Sequence, residues 1–174
     1  MVTIKEKRGA EIVALADSIR SANNFVHRNV DVVELANKYG FKVYQLKESA
    51  PVKGLILGDD SDNFGVIAFK QDLSNKDNRF IIAHELGHFL LHHDDEKFKK
   101  NGVFYYAYHS DENHSEQERE ADLFAANLLM PKEAFINKWK EIGGQNDNLS
   151  KEILSEYFGV TTKSIEKRIK EINV

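Results

Sequence analysis

The sequence contains no cysteine. That absence excludes a disulfide scaffold, thiolate metal sites and a cysteine nucleophile. Long apolar runs are also missing. None approaches eighteen residues, and the start, MVTIKEKRGAEIV, has neither the apolar segment nor the small-residue cleavage site of a secretory signal. A soluble, cytoplasmic protein that does not engage membranes is expected. Basic charge is not in excess: 24 Lys and Arg stand against 28 Asp and Glu, for a net charge of −4. The broad positive surface of a sequence-blind nucleic-acid binder is therefore lacking. Repeats, low-complexity tracts and Pro/Gly/Ser linkers do not occur either. At 174 residues and 41% apolar content the chain closes one sizeable core and is short for two, so a single domain over 1–174 is expected.

What the chain does have is clustered histidine. Six of its seven histidines (His84, His88, His92, His93, His109 and His114) fall within one stretch of 31 residues, where an even scatter would place about one.

Periodicity divides the chain into N-terminal helices (1–40), a sheet and metal-site core (41–130) and a C-terminal helical tail (131–174). Ile12, Leu15, Ala16 and Ile19 mark one helical face between Ile4 and Arg20. Asp31 and Glu34 have the D-x-x-E form of a capping box, and Gly40 is a stop for the short helix that follows. Three β-rich runs come next: Phe41–Leu46, Leu55–Leu57 and Val66–Phe69. They predict a small three-stranded sheet, antiparallel given its short connections. The run from Phe80 to Leu91 is apolar or neutral almost all round, as in a core helix. Residues 94–114 read as an irregular aromatic site loop. Helices then run from Ser115 to Met130, from Pro131 to Ile142, from Ser150 to Phe158 and from Thr162 to Ile172. The fold class is α+β, mainly helical.

His84-Glu85-Leu86-Gly87-His88 is an H-E-x-x-H sequence on the predicted core helix. Four residues at about 100° each bring both imidazoles to within roughly 40° of one face, in reach of one metal ion. Glu85 projects to a flank of that face, where it can take a proton from a metal-bound water. The motif arises by chance in about 2–3% of chains of this composition. An apolar helix strengthens the metal reading, because polar groups buried there uncompensated would cost several kcal/mol. With no thiolate available, histidine and carboxylate donors favour zinc.

Catalytic zinc takes a third protein ligand and keeps one position for water. Glu118 is the candidate. It lies with Asp122 on the inward stripe Ala121, Ala125, Leu128 and Leu129, and Asp122 can accept the free ring N–H of a zinc-bound histidine. Against this, Ser115-x-x-Glu118 also fits a capping box, in which Glu118 would only return to the Ser115 backbone. Glu120, about 200° away on the wheel, should be a solvated charge.

The run H-E-L-G-H-F-L-L-H, followed some thirty residues later by E-R-E-A-D-L-F-A-A-N-L-L-M-P (Glu118 to Pro131), closely resembles the ImmA/IrrE family of HExxH metallo-endopeptidases of bacteria, phages and mobile elements. Asp31 to Tyr44 and Leu154 to Ile169 are similar to the family's opening and tail, so the resemblance covers most of the chain. It implies a zincin-like active-site helix, with His84, His88 and Glu118 as zinc ligands and Glu85 as catalytic base. It also implies cleavage of a helix-turn-helix repressor, often encoded nearby, and so a role in transcriptional regulation. Asp122 stands where Asn is frequent in the family, which keeps an acceptor.

Other residues have two readings. His92 is a capping or supporting group, and His93 a surface residue at a helix end. His109, His114, Tyr105, Tyr106 and Tyr108 either stabilise a developing oxyanion or pack along a cleft. The strand Val66–Phe69 either pairs with an extended substrate or is an ordinary strand. The two last helices resemble a helix-turn-helix, but five bases against four acids over 149–174 make a weak phosphate-binding surface. His27 and Trp139 read as structural. The competing function is a non-catalytic regulator or toxin-like binding module of the same fold. Its metal site would be structural, closed by His92, His109 or His114, and its C-terminal helices would contact DNA.

Overall fold

The computed structural model describes residues 4–25, 29–59, 64–70, 74–93, 99–100, 103–108 and 115–174. The chain opens with α1 (Ile4–Ala22) and α2 (Val32–Lys38), and Asp31 caps α2 by accepting the Val33 and Glu34 N–H groups. Strands β1 (Phe41–Leu46), β2 (Gly54–Asp59) and β3 (Phe64–Lys70) lead into the central helix α3 (Asn75–His92). The two-residue strand β4 (Lys99–Lys100) and β5 (Val103–Tyr108) precede α4 (Glu116–Leu129), α5 (Lys132–Glu141), α6 (Asn148–Phe158) and α7 (Thr162–Ile172). The result is a mainly helical α+β fold. Among the described residues no helix is long and apolar enough to cross a membrane.

The sheet differs from the antiparallel three strands that the pattern predicts. It has four full strands and the short β4, in the order β1-β3-β2-β5-β4, and β1 pairs with β3 in parallel. β2 and β3 form the expected antiparallel pair, but β1 passes over to the far side of β3 and so runs with it. The fourth strand comes from the stretch read as an irregular loop. Val103-Phe104-Tyr105-Tyr106-Ala107-Tyr108 is rich in residues that suit a pleated surface, and β2 offered it an antiparallel edge. With β1 and β2 on its two sides, β3 has no free edge, so Val66–Phe69 cannot take up an extended substrate by strand addition.

Alternation across the sheet sets Val43, Ile67, Ile56 and Tyr106 side by side in register, and the last three are buried. α3 is buried from Ile81 through His88. Helix α4 packs against it with its small residues inward. A Cβ at Gly87 would stand 3.1 Å from Phe124 Cδ1 and 3.2 Å from the Ala121 backbone, so glycine here sets how closely the two helices approach.

Both ends of the chain hold α4. Arg20 of α1 donates to the Leu128 carbonyl at 2.6 Å, and the buried Arg168 of α7 donates to the Met130 carbonyl and to Asn127 Oδ1. These are the carbonyls a helix C-terminus leaves without intrahelical partners. Glu120 departs from its expected solvated state. Its side chain is 14% exposed and accepts two hydrogen bonds from Arg8, at 3.0 and 3.1 Å, because α1 packs across this side of α4. Trp139 is buried, and His27 lies outside the described residues.

Gly87→Val is expected to wedge α3 from α4 and lower stability by about 1–3 kcal/mol, the usual cost of overpacking. Urea unfolding measures it, and an unchanged midpoint would contradict the close approach.

Candidate metal centre

Four residues apart on α3, His84 and His88 turn their Nε2 atoms to within 3.0 Å of each other. The Glu118 carboxylate, from the first turn of α4, lies across both, with Oε2 3.2 Å from His84 Nε2 and Oε1 3.2 Å from His88 Nε2. Ser115 Oγ caps α4 by accepting the Glu118 N–H, yet the Glu118 side chain points to the histidines and does not complete a capping box. Among the described residues these three are the group whose donor atoms converge tightly enough to hold one ion. A tetrahedral ion with bonds of about 2.0–2.1 Å spaces its donor atoms about 3.3 Å apart, close to the separations seen here. The residues fit a divalent metal ion.

Each donor is held from behind. Asp122, one turn along α4 from Glu118, accepts from His84 Nδ1 at 3.0 Å, which leaves Nε2 as the ring's metal-facing atom. The His88 ring stacks on Tyr106 of β5, with centroids 4.3 Å apart and planes 19° from parallel. Glu85 is fully buried, and neither of its carboxylate oxygens has a hydrogen-bond partner among the described residues. A Cβ at Gly54 would lie 2.4 Å from Ile81 Cγ2 and 2.8 Å from Glu85 Oε1, so the backbone of β2 rests directly on this carboxyl. An orphaned buried carboxyl beside a His-His-Glu cluster is what a site for a metal ion and a water would require.

Electrostatics follow from burial and contact. Burial lowers the pKa of His84, but hydrogen bonds to Asp122 and Glu118 outweigh it and raise the value to about 9. Burial dominates at His88, which falls to about 4 despite its Glu118 contact, with the neighbouring His84 charge adding to the fall. Glu85 rises to about 8, chiefly through burial. Burial opposes ionisation of Glu118 too, yet its two imidazole partners hold it well below the usual carboxylate range.

The remaining sequence candidates fall in different places. His92 is buried outside the cluster, its ring 5.8 Å from that of His88 and its Nε2 3.7 Å from Glu120 Oε2. His93 caps the end of α3, with Nδ1 2.8 Å from the Phe89 carbonyl. Tyr105 is half exposed on the opposite face of β5 from Tyr106, so it is not brought to the site. Tyr108 lies opposite Gly54 in register. His109 and His114 lie outside the described residues. Two contributors were missed from sequence. Lys167 of α7 pairs with Asp122 Oδ2 at 2.6 Å, which no local pattern announces. Gly54 was readable in principle, since glycine inside a strand pattern often marks close backbone approach.

An H-E-x-x-H helix packed under a mixed sheet, with a carboxylate from a second helix closing a His-His-Glu cluster, is a mainly helical α+β fold with a place for a metal ion. The family model of the IrrE N-terminal-like domain, a peptidase family designated M78, matches residues 36–170, and the chain belongs to this ImmA/IrrE family. The metallopeptidase ImmA of Bacillus subtilis (strain 168) is 28% identical over 132 residues, covering 75% of this chain and 71% of its own. A solved structure of a Mycobacterium tuberculosis transcriptional regulator shares the fold, with a TM-score of 0.59 at 16% identity over 92% of this chain. The match takes in 46% of that protein, so this chain spans about half its length.

Metal binding is expected to strengthen with pH. Without metal His84 holds its proton up to about pH 9, whereas His88 is already neutral and Glu118 ionised at pH 7. Binding must then displace one proton, so apparent zinc affinity should rise about tenfold per pH unit between 6.5 and 8.5. Competition titration with a chelator tests this, and a flat profile would contradict the protonated His84.

Proposed function

We propose that the chain is a zinc-dependent endopeptidase that hydrolyses a peptide bond in a regulatory, repressor-type protein. The observation that carries the reading is the convergence of His84, His88 and Glu118 beside the buried Glu85, which has no hydrogen-bond partner among the described residues. Family membership and the name of the Bacillus relative support a metallopeptidase, and the repressor substrate extends the family resemblance. Three protein donors are the number a catalytic zinc takes when its fourth position is kept for water. His92 does not join them.

His84, His88 and Glu118 would hold the ion. Bound zinc supplies Lewis acidity, polarising a carbonyl oxygen and lowering the pKa of a coordinated water toward about 7. Glu85 accepts the proton of the attacking water and returns it to the leaving amine. Its burial raises its proton affinity, so the ionised carboxylate is a stronger base than an exposed one and holds the proton once taken. Asp122 keeps the His84 proton on Nδ1, and Tyr106 fixes the plane of the His88 ring.

The test is co-expression with the repressor-like product of a neighbouring gene. Wild type should cleave it and carry one zinc per chain. Glu85→Gln should keep the zinc and lose cleavage by about 10²–10⁴-fold, the usual worth of a general base. Binding of the partner with no cleavage by either form would sink the enzyme reading. Glu118→Ala should lose zinc, and unchanged metal content there would move the third ligand elsewhere. Gly54→Ala should displace Glu85, lowering cleavage while zinc content is kept.

A further inference from the structure

A groove of about 880 Å³ runs between the first half of α3, α4 and α7. It adjoins the metal centre through Asp122, but His84, Glu85, His88 and Glu118 do not line it. Whatever it holds therefore sits behind the His84 ring, on the Nδ1 side, away from the convergent donor atoms. Its floor is apolar, with Phe80 and Ile81 from α3, Leu123 and Ala126 from α4, and Met130 just past the end of α4.

The rim has the opposite sign to the chain as a whole. Lys163, Lys167 and Lys170 repeat at i, i+4 and i+7, one stripe along α7, and Lys53 stands on the facing wall. Three of the four lining acids are already paired with cations, which leaves Asp77 as the one lining carboxylate to set against the free lysines among the described residues. Asp122 pairs with Lys167, Glu166 with Lys151 and Glu171 with Arg168, while Asp77 bonds Ser74 at the start of α3. Of the lining cations, Lys53, Lys163 and Lys170 have no ion-pair partner among the described residues. The uncompensated charge of the groove is thus positive, on a protein of net charge −4.

We infer that this groove is an exosite for a segment of the protein substrate that carries an apolar stripe flanked by acidic side chains. The inference rests on the peptidase reading. A helical segment fits the dimensions: from Lys163 to Lys170 the α7 axis advances about 10.5 Å, two turns of a partner helix. Carboxylates at that spacing meet the lysines while the apolar stripe covers the floor. A nucleic-acid backbone would satisfy the lysines but leave phosphate and sugar against Phe80, Leu123 and Ala126, where they gain nothing. Docking there would hold the substrate beside the metal centre and select it by features remote from the bond that is cut.

The test uses the full chain loaded with zinc and carrying Glu85→Gln, so that nothing bound is cleaved. A displayed pool of random 15-residue peptides is selected on it. Enriched sequences should combine Asp or Glu with apolar residues at helical spacing. In fluorescence anisotropy such a peptide should bind at least tenfold more weakly to the same protein carrying Lys163→Glu and Lys170→Glu. Thermal melting and zinc content check that this variant is folded. Three results would overturn the exosite: no enrichment, enrichment of basic or uncharged sequences, or affinity indifferent to the charge reversal. Tighter binding of a single-stranded 15-mer DNA than of any peptide, abolished by the reversal, would assign the rim to nucleic acid. Failure of the peptidase reading is separately visible, since it appears as no difference between wild type and Glu85→Gln in the cleavage assay.

Discussion

The approach of α3 to α4 is the constraint on which the site depends. His84, His88 and the buried Glu85 belong to one helix and Glu118 to the other, so the separation of the two axes decides whether the cluster forms. Glycine at 87 facing Ala121 lets the backbones come close enough for Glu118 to lie 3.2 Å from both imidazoles and for Asp122 to reach His84 from behind. A side chain as large as valine in that seam would displace every one of these contacts together. The sheet completes the arrangement from above, with Gly54 laid on Glu85 and Tyr106 on His88.

Packing so many ionisable groups into one buried place has an electrostatic logic. Glu85 and His88 are pushed toward their neutral forms by burial, whereas His84 and Glu118 remain charged because each has opposite charge within hydrogen-bond reach. The metal-free cluster is thus close to internally neutralised, with His84 and Glu118 as an ion pair. A cation bound there would replace the His84 proton and find Glu118 as its counter-ion, so the same geometry would serve both states.

Much of this was legible in the sequence wherever the information is local. The H-E-x-x-H spacing places two histidines on one face regardless of what surrounds the helix, and the inward stripe of α4 singled out Glu118 and Asp122. What was not legible depends on partners distant in sequence. Glu120 looked solvent-facing on its own wheel, but a wheel cannot show that α1 lies across that face with Arg8 in reach. The parallel pairing of β1 with β3 depends on where a connection passes, which strand composition does not encode. The aromatic stretch 103–108 reads as part of a loop because the surrounding polar residues hide six residues of strand. Tyr106 was nonetheless singled out, and its alternation with Tyr105 on β5 explains why one of the pair meets the site and the other faces away.

The C-terminal helix touches the site in two ways that differ in weight. Lys167, 66% exposed, pairs with Asp122, and an ion pair so accessible to water contributes roughly 0.2–1 kcal/mol. Arg168 is 2% exposed and gives charge-assisted hydrogen bonds to the Met130 carbonyl and Asn127, interactions worth about 1.5–3 kcal/mol each. Loss of α7 would therefore act on the metal centre mainly by freeing the end of α4, and only secondarily by releasing Asp122. The burial of Arg168 in turn orients the helix. With Ile165, Arg168 and Ile169 turned inward, the lysines at 163, 167 and 170 are left along the groove beside α4. The residue that clamps the ligand-bearing helix is thus also the one that fixes which face of the tail a substrate would meet.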